Sequence, residues 1–269
     1  EEMIRSQPLD GVVLIGGCDK MTPAQLVGAA SANIPTILFT GGPMANGEYE
    51  GKTLGACSDC RFFWQEFRAG KIDEEELWKI NAALAPTAGH CMVMGSASTM
   101  AVCAEALGMM LPGSSAIPAT DNRRLEMAIR TGEEIVHLVK RGTLPSQIMT
   151  PNAFENAIRA LMAVGGSTNA VIHLIAIARR LKIHLTLDKF DELSRTTPLV
   201  ANLRPAGKYQ MEDFFRAGGT PAVLNEIKKL LHLDEMTVNG KTLGENIKDA
   251  KVSEVYVDII RPFADPLYP

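Results

Sequence analysis

Two short apolar runs near the start of the chain flank a helical pattern. The first run, Val12–Ile15, ends at two glycines, and the second, Ile34–Thr40, leads into Gly41–Met44. Short β-branched runs that stop at glycine are typical of buried parallel strands. Between them, Thr22 as an N-cap and Pro23 at the first helical position predict the start of a helix. The pattern therefore predicts a βαβ unit, with a parallel sheet and a right-handed crossover.

Most of the remaining chain has the spacing of amphipathic or buried helices. The balance predicts a helix-rich α/β protein, with residues 1–232 as one domain and residues 233–269 as a lead-out segment. The pattern also predicts a polar surface loop at Asn46–Ser58 and a β-like run at Val255–Ile260. Helices are predicted over residues 62–69, from Asp73, over Met92–Met110 (buried, since it is apolar nearly all round), Asp121–Arg141, from Thr150, and over Ala170–Ala178, Leu187–Ser194 and Met211–Leu231.

Composition narrows the classes of function. The chain has 269 residues and a net charge of -4, which gives no electrostatic case for binding nucleic acid. No apolar stretch approaches the roughly 20 residues that cross a bilayer, so no membrane span is predicted. Five cysteines without secretory features favour a reducing, cytoplasmic setting, and metal or cluster ligands over disulfides.

Cys18 and Cys91 are the first candidates for chemistry. Each follows a glycine-containing turn and precedes a helix, where the helix dipole stabilises a thiolate for metal ligation or nucleophilic attack. The alternative is a small buried hydrophobic residue. Beside Cys18, the Asp19 carboxylate suits Mg²⁺, and a desolvated Lys20 could act as a nucleophile or base. From the residues alone, an ordinary surface pair at a helix start is the favoured interpretation of Asp19 and Lys20.

Cys57 and Cys60 form a single CxxC in a polar loop. Such a pair can bind zinc or perform redox chemistry, but one pair alone is weak evidence. We therefore treat both as bystanders, with a dithiol redox protein as a rival hypothesis. Cys103 lies in the apolar helical run and is predicted to be core.

Three polar residues are weaker candidates for substrate binding. His90 adjoins Cys91 in a glycine-flanked turn, whereas Ser167 and Thr168 lie in a glycine-rich turn that could hold an anion with backbone N–H groups. Neither this turn nor Gly41–Met44 matches a nucleotide-binding fingerprint. The other histidines have the setting of ordinary helix or loop residues: His137, His173, His184 and His232.

Several longer stretches together resemble one family. They include GGCDKMTP, IPTILFTGGPM, PTAGHCMVMGSASTMAVCAEALGM, MTPNAFENAIRALMAVGGSTNAVIHLIAIA and RPAGKYQMEDFFRAGGTPAVL. In this order they resemble the IlvD/Edd dehydratases, which comprise dihydroxy-acid, 6-phosphogluconate and sugar-acid dehydratases. The resemblance covers nearly the whole chain. It implies a three-layer α/β/α fold with a mostly parallel sheet.

The resemblance also implies roles for the candidate residues. Cys18 and Cys91 match cysteines that bind an iron–sulfur cluster, either [2Fe–2S] or [4Fe–4S]. Asp19 matches a Mg²⁺ ligand, and Lys20 matches a catalytic metal ligand that is carboxylated. A lysine carbamate is chemically reasonable, since it converts a cation into an oxygen ligand for a hard metal. These implications overturn the surface-pair interpretation of Asp19 and Lys20.

The implied activity is that of a hydro-lyase that dehydrates a 2,3-dihydroxy acid to a 2-keto acid. The residues GHC and the WQEFRAGKID segment are similar to the sugar-acid branch, which we favour. The alternatives are the dihydroxy-acid dehydratase of branched-chain amino-acid synthesis and, from another class, a non-catalytic assembly or ligand-binding domain. The resemblance further implies a homodimer or homotetramer.

Some of the family's functional groups have no counterpart in this sequence. In the family, another cluster cysteine and another Mg²⁺ carboxylate precede the CDK motif, which is Cys18–Lys20 in this sequence. A base serine and a metal-binding glutamate belong to a C-terminal β-barrel domain. The resemblance therefore implies that residues 1–232 are the central part of the N-terminal domain and that residues 233–269 lead toward the barrel. We expect the chain to be inactive alone.

Overall fold

The computed structural model describes residues 1–56 and 58–269. Helices dominate this part of the chain, with four short strands: β1 (Val12–Gly16), β2 (Thr36–Thr40), β3 (Gly47–Tyr49) and β4 (Lys52–Leu54). The α-helices are α1 (Glu2–Arg5), α2 (Met21–Ala32), α3 (Cys60–Arg68), α4 (Glu74–Leu84), α5 (Ser96–Ala106), α6 (Asn122–Arg141), α7 (Pro145–Ile148), α8 (Pro151–Ala163), α9 (Asn169–Arg180), α10 (Leu187–Ser194), α11 (Met211–Arg216), α12 (Gly219–Glu226) and α13 (Leu243–Ile247).

Strands β1 and β2 form the parallel sheet expected from the apolar runs. Their register pairs Val12 with Thr36 and Gly16 with Thr40. Helix α2 connects the strands, and both α2 and α6 pack against both of them. The helix-rich α/β fold is therefore confirmed, and in the described residues its parallel sheet has two strands. Because the strands are parallel, their carboxyl ends lie at one edge.

The central helix α5 is buried from Ala97 to Ala106, as the small-residue pattern predicted. It packs against α2, α8, α9 and α12. The helix is shorter than the predicted span, Met92–Met110. Before it, the Met94 N–H donates to the Arg204 carbonyl (2.8 Å). After it, Gly108 adopts a φ of +83°, which ends the helix.

The starts of several helices match their predicted caps. Asp73 and Thr150 each accept a backbone N–H of the first turn, and Asp121, predicted as the first helical residue, is also an N-cap. The expected cap at Thr22 is wrong, because α2 begins at Met21, two residues before Pro23, the predicted first helical position. The Cys18 carbonyl already accepts the N–H groups of Met21 (3.1 Å) and Thr22 (3.4 Å), so the CDK motif itself forms the entrance to the helix.

The predicted loop at Asn46–Ser58 contains the antiparallel hairpin β3–β4. Glu50 and Gly51 both have positive φ (49° and 72°), which is the backbone of a tight two-residue hairpin turn. The sequence did not reveal these strands because their residues are mostly polar, since only one face of the hairpin packs against other residues. There, Leu54 joins Ile80 and Leu84 in a small second core.

Residues 233–269 pack back onto the main core through Val238, Leu243 and Ile260. The β-like run predicted at Val255–Ile260 is instead a short 3-10 helix, Glu254–Tyr256. Ile260 forms an isolated bridge with Ala201. Within the described residues, no helix has the length and apolar character needed to cross a membrane.

Candidate metal and substrate site

The CDK motif occupies the carboxyl end of β1. Cys18 is exposed, and the Asp19 Oδ1 accepts the N–H of Lys20 (2.7 Å). The Lys20 Nζ lies 3.4 Å from Asp19 Oδ2, and the Lys20 side chain is 80% exposed. A thiol, a carboxylate and an amine thus lie together at the carboxyl end of β1, and the Lys20 amine is exposed instead of desolvated.

The glycine turn at Gly41 and Gly42, which follows β2, links the CDK motif to the loop of Cys91 through hydrogen bonds. The Gly41 N–H donates to the Gly16 carbonyl (2.7 Å), which joins the ends of β1 and β2. One residue further, the Gly42 carbonyl accepts the N–H of His90 (3.0 Å). The half-buried Cys91 therefore lies at the same edge of the sheet as Cys18.

Gly89 makes this close approach possible. Its φ is +129°, and a Cβ at this position would lie 2.6 Å from the backbone nitrogen of Met44 and 2.7 Å from the carbonyl carbon of Pro43. Only glycine combines this backbone conformation with this approach. The local chemistry of the turn thus sets the position of Cys91 relative to β2.

Helix α9 contributes a residue that the sequence analysis assigned no role. It packs against α2, and His173 interacts electrostatically with the CDK motif. Burial lowers the pKa of His173, Asp19 acts to raise it and Lys20 acts to lower it, with a net decrease. Apolar spacing predicted the helix, but it could not reveal which element would face this histidine.

The first turns of α5 and α9 are joined by side-chain hydrogen bonds. Ser96 Oγ lies 3.1 Å from Ser167 Oγ and accepts from Asn169 Nδ2 (2.9 Å). The Ser167 N–H donates to Thr99 Oγ1 (2.9 Å), and Thr168 is exposed beside it. With α2 against α9, three helix N-termini lie close together. Their partial positive charges favour an anion in this region.

His90 is directed into the protein. It is buried, and its Nδ1–H donates to the Cys91 carbonyl (3.2 Å). The pKa of His90 is lowered to about 4, mainly by burial; the hydrogen bond to Cys91 opposes this shift and the nearby charge of Arg124 adds to it. Its Nε2 has no hydrogen-bond partner among the described residues. His90 is therefore neutral at physiological pH and forms part of the wall beneath Cys91.

A buried cation supports the glycine turn from below. Arg124 donates through Nη1 to the Thr40 carbonyl (2.9 Å) and through Nη2 to the Ile117 carbonyl. Burial lowers the pKa of Arg124 to about 10, and Glu105 acts in the opposite direction. Glu105 itself accepts the N–H groups of Gly113 (2.7 Å) and Ser115 (2.9 Å). Sequence analysis missed both residues, although a glutamate within an apolar helix is a usable signal of a buried partner.

The remaining cysteines differ in setting. Cys103 is fully buried, and burial raises its pKa to about 12, which confirms it as a core residue. Cys60 is half-buried at the start of α3, and Cys57 lies outside the described residues.

The donors present suit the implied metals in type. Thiolates are the usual ligands of iron–sulfur clusters, and carboxylates are typical ligands of Mg²⁺. Within the described residues, no group of three or more His, Cys, Asp or Glu side chains is arranged to hold a metal ion. Cys18, Cys91 and Asp19 thus fit as part of a ligand set.

The sheet edge, the two cysteine loops and the helix N-termini belong to one α/β domain. The sequence profile described as dihydroxy-acid/6-phosphogluconate dehydratase N-terminal matches residues 1–246. The chain therefore belongs to this dehydratase family.

Individual relatives cover both branches of the family. The chain is 51% identical to L-arabinonate dehydratase of Rhizobium leguminosarum over 93% of its length, and 43% of that relative is covered. It is 46% identical to dihydroxy-acid dehydratase of Caldicellulosiruptor saccharolyticus over 99% of its length, with 48% covered. It is 44% identical to D-xylonate dehydratase of Caulobacter vibrioides over 99%, with 44% covered. The chain spans about half the length of the curated relatives it matches.

Proposed function

We propose that this chain forms part of a hydro-lyase that dehydrates a 2,3-dihydroxy carboxylic acid, preferably a sugar acid, to a 2-keto acid. The observation that carries this proposal is the shared position of Cys18 and Cys91 at one sheet edge, with Asp19 and Lys20 beside Cys18. The named relatives support the reaction class, and 51% identity to a sugar-acid enzyme supports the preferred substrate.

The residues divide the work by their chemistry. Cys18 and Cys91 would hold an iron–sulfur cluster, and Asp19 would hold Mg²⁺. When bound, the two metal centres supply Lewis acidity toward a hydroxyl and a carboxylate. The exposed Lys20 is accessible to CO₂, which adds to the neutral amine with loss of a proton and yields a carboxylate. The three helix N-termini favour the negative charge of the substrate.

Two other functions are alternatives. A dihydroxy-acid dehydratase of branched-chain synthesis would use the same residues on a smaller, more apolar substrate, and the 46% relative supports it. A non-catalytic assembly domain would need neither cysteine. We further propose that the 269-residue chain has no activity alone, since the described donors are an incomplete ligand set.

The test uses the longer parent protein, purified without oxygen. Formation of 2-keto acid is measured from L-arabinonate, D-xylonate and 2,3-dihydroxyisovalerate, together with bound iron and Mg²⁺. Cys91→Ser should lose iron and activity together, whereas Cys60→Ser should keep both. Turnover of dihydroxyisovalerate alone would establish the branched-chain alternative. Absence of both iron and keto acid from the unmodified protein would refute the proposal.

A further inference from the structure

One face of helix α6 is apolar although it is exposed. Leu125, Ile129 and Val136 are 68%, 57% and 51% exposed, and Gly132 is exposed between them. The spacing of these four positions places them one above another along a single side of the helix. We call this row the α6 stripe. Since α6 packs against β1 and β2 with its buried side, the stripe faces away from the sheet.

Within the described residues, nothing requires a glycine at the middle of the α6 stripe. Gly132 lies in the interior of a 20-residue helix, it has no positive φ, and a Cβ there would meet no atom within 4 Å. Glycine weakens a helix interior because it leaves the unfolded chain more conformational freedom. Close approach of another backbone is one condition that favours glycine at such a position. The stripe therefore has room at its middle for a second helix to cross.

A row of alternating charges borders the α6 stripe on one side. Glu126, Arg130, Glu133 and Lys140 follow one another along α6, and all four are exposed. Within the described residues, none of the four forms an ion pair, although both ends of the same helix do. The row therefore offers negative and positive groups in turn to a partner.

The segment after residue 238 adds one further charge to this side of α6. Lys241 lies with Arg130, Glu133, Glu134 and His137 around an open cavity of about 240 Å³. These groups carry both signs, so the surface does not select a simple anion or cation. It suits a partner whose own charges alternate.

The order of the charges suits a second copy of α6 that runs in the opposite direction. When two such helices cross at Gly132 about a two-fold axis, their charged sides adjoin. Arg130 then lies level with Glu133 of the second copy to within about one residue, or about 1.5 Å along the axis. Glu126 lies level with the segment 137–140, which contains Lys140. Opposite charges meet at both places, whereas a parallel pair would place equal charges level with each other.

The area of this surface predicts a weak contact. α6 is about 30 Å long, and a helix face is roughly 10 Å wide, so each copy offers a footprint of roughly 300 Å². An open cavity of about 340 Å³ beside Leu125 and Ala128 enlarges the surface that a second copy can cover. Stable interfaces bury about 1,200–2,000 Å² in total, so we expect a reversible dimer that forms at high concentration.

We propose that the chain forms a weak two-fold dimer through antiparallel contact of the α6 stripes, with Arg130 of each copy against Glu133 of the other. The partner is a second copy because the stripe and its charged row are complementary to themselves under a two-fold rotation. The contact does not depend on the proposed dehydration, since it uses no residue assigned to that reaction.

Sedimentation velocity of the purified 269-residue protein, from about 10 µM to about 1 mM, tests this dimer. Arg130→Glu and Glu133→Arg should each weaken dimerisation about tenfold, since each places like charges at two symmetric contacts. An equimolar mixture of the two variants should restore the dimer, because every contact in the mixed pair joins opposite charges. Mixing cannot repair a folding defect within either chain, so restoration is specific to contact between copies.

The apolar part of the contact is tested in the same way. Ile129→Glu, at the centre of the α6 stripe, should weaken dimerisation at least about tenfold. Val255→Glu, at an apolar residue that is 82% exposed on another segment, is the matched control and should leave it unchanged.

Three outcomes would overturn the proposal. A monomer at every concentration would leave the α6 stripe to a different partner or to another part of the longer parent protein. A dimer that Ile129→Glu and Val255→Glu weaken equally would lie on another surface. A dimer that each charge variant weakens but their mixture does not restore would exclude the antiparallel pairing of Arg130 with Glu133.

Discussion

The ends of β1 and β2 carry charge in opposite ways. After β1, Lys20 faces solvent beside the half-buried Asp19, with the Lys20 Nζ 3.4 Å from Asp19 Oδ2. After β2, the charge is hidden, because Arg124 lies under the glycine turn with Glu105 as its electrostatic counterpart. Exposed charges cost little to keep and remain available to a ligand, whereas buried ones hold loops in place. The difference separates exposed groups that a ligand can reach from buried groups that support the fold.

The largest effect on the free energy of unfolding is expected for Arg124→Met. The change removes two hydrogen bonds to carbonyls and leaves Glu105 buried without its counter-charge. Each buried acceptor left without its donor costs about 1–3 kcal/mol, so we expect a total loss of about 3–5 kcal/mol. Urea denaturation measures it, with Arg130→Met, exposed on the same helix, as a control that should change by about 0.5 kcal/mol or less. Equal effects would show that Arg124 does not support the turn.

A smaller loss in the free energy of unfolding is expected for Gly89→Ala, which tests the close approach of the Cys91 loop to the turn after β2. The new Cβ would meet the backbone of Pro43 and Met44, and alanine disfavours a φ of +129°. We expect a cost of about 2–3 kcal/mol in the same assay. Gly142→Ala has a positive φ (66°) but no atom within 4 Å of its Cβ, so it measures the backbone penalty alone, about 1 kcal/mol. Equal losses at the two positions would mean that the approach of Gly89 to the turn is not required.

The sequence predicted local structure better than contacts between elements that are distant along the chain. Local signals sufficed for strands β1 and β2, for the caps at Asp73 and Thr150, and for the placement of Cys18 at the end of a strand. Contacts between distant elements could not be predicted, because the apolar spacing of α9 does not indicate that His173 will lie near the CDK motif. The hairpin β3–β4 was not predicted for a related reason: its core contacts come from α4, which follows it in sequence.

Asp121→Asn keeps the N-cap of α6 but removes its negative charge. Asparagine caps as well as aspartate, so the loss comes from the ion pair with Arg123 (2.6 Å), about 1 kcal/mol at pH 7. The Arg123 hydrogen bond is the main cause that lowers the pKa of Asp121 to about 2, below the ordinary value of 3.8. This stabilisation is present above pH 4 and is lost as the pH falls toward 2. Denaturation at pH 7 and pH 3 should therefore show the gap between the two proteins narrowing, and a constant gap would contradict it.

The smallest effect on stability is expected at Lys20, the residue on which the proposed chemistry depends. Its side chain is 80% exposed and its Nζ lies 3.4 Å from Asp19 Oδ2, so Lys20→Met should change the free energy of unfolding by about 0.5 kcal/mol or less. Removal of a cation from a helix N-terminus even favours the fold slightly. In the longer parent protein, the same substitution should reduce dehydration at least about 100-fold, since a metal ligand matters no less than its outer partners. Retained activity in this variant would show that Lys20 is the ordinary surface residue that its neighbours in sequence first indicated.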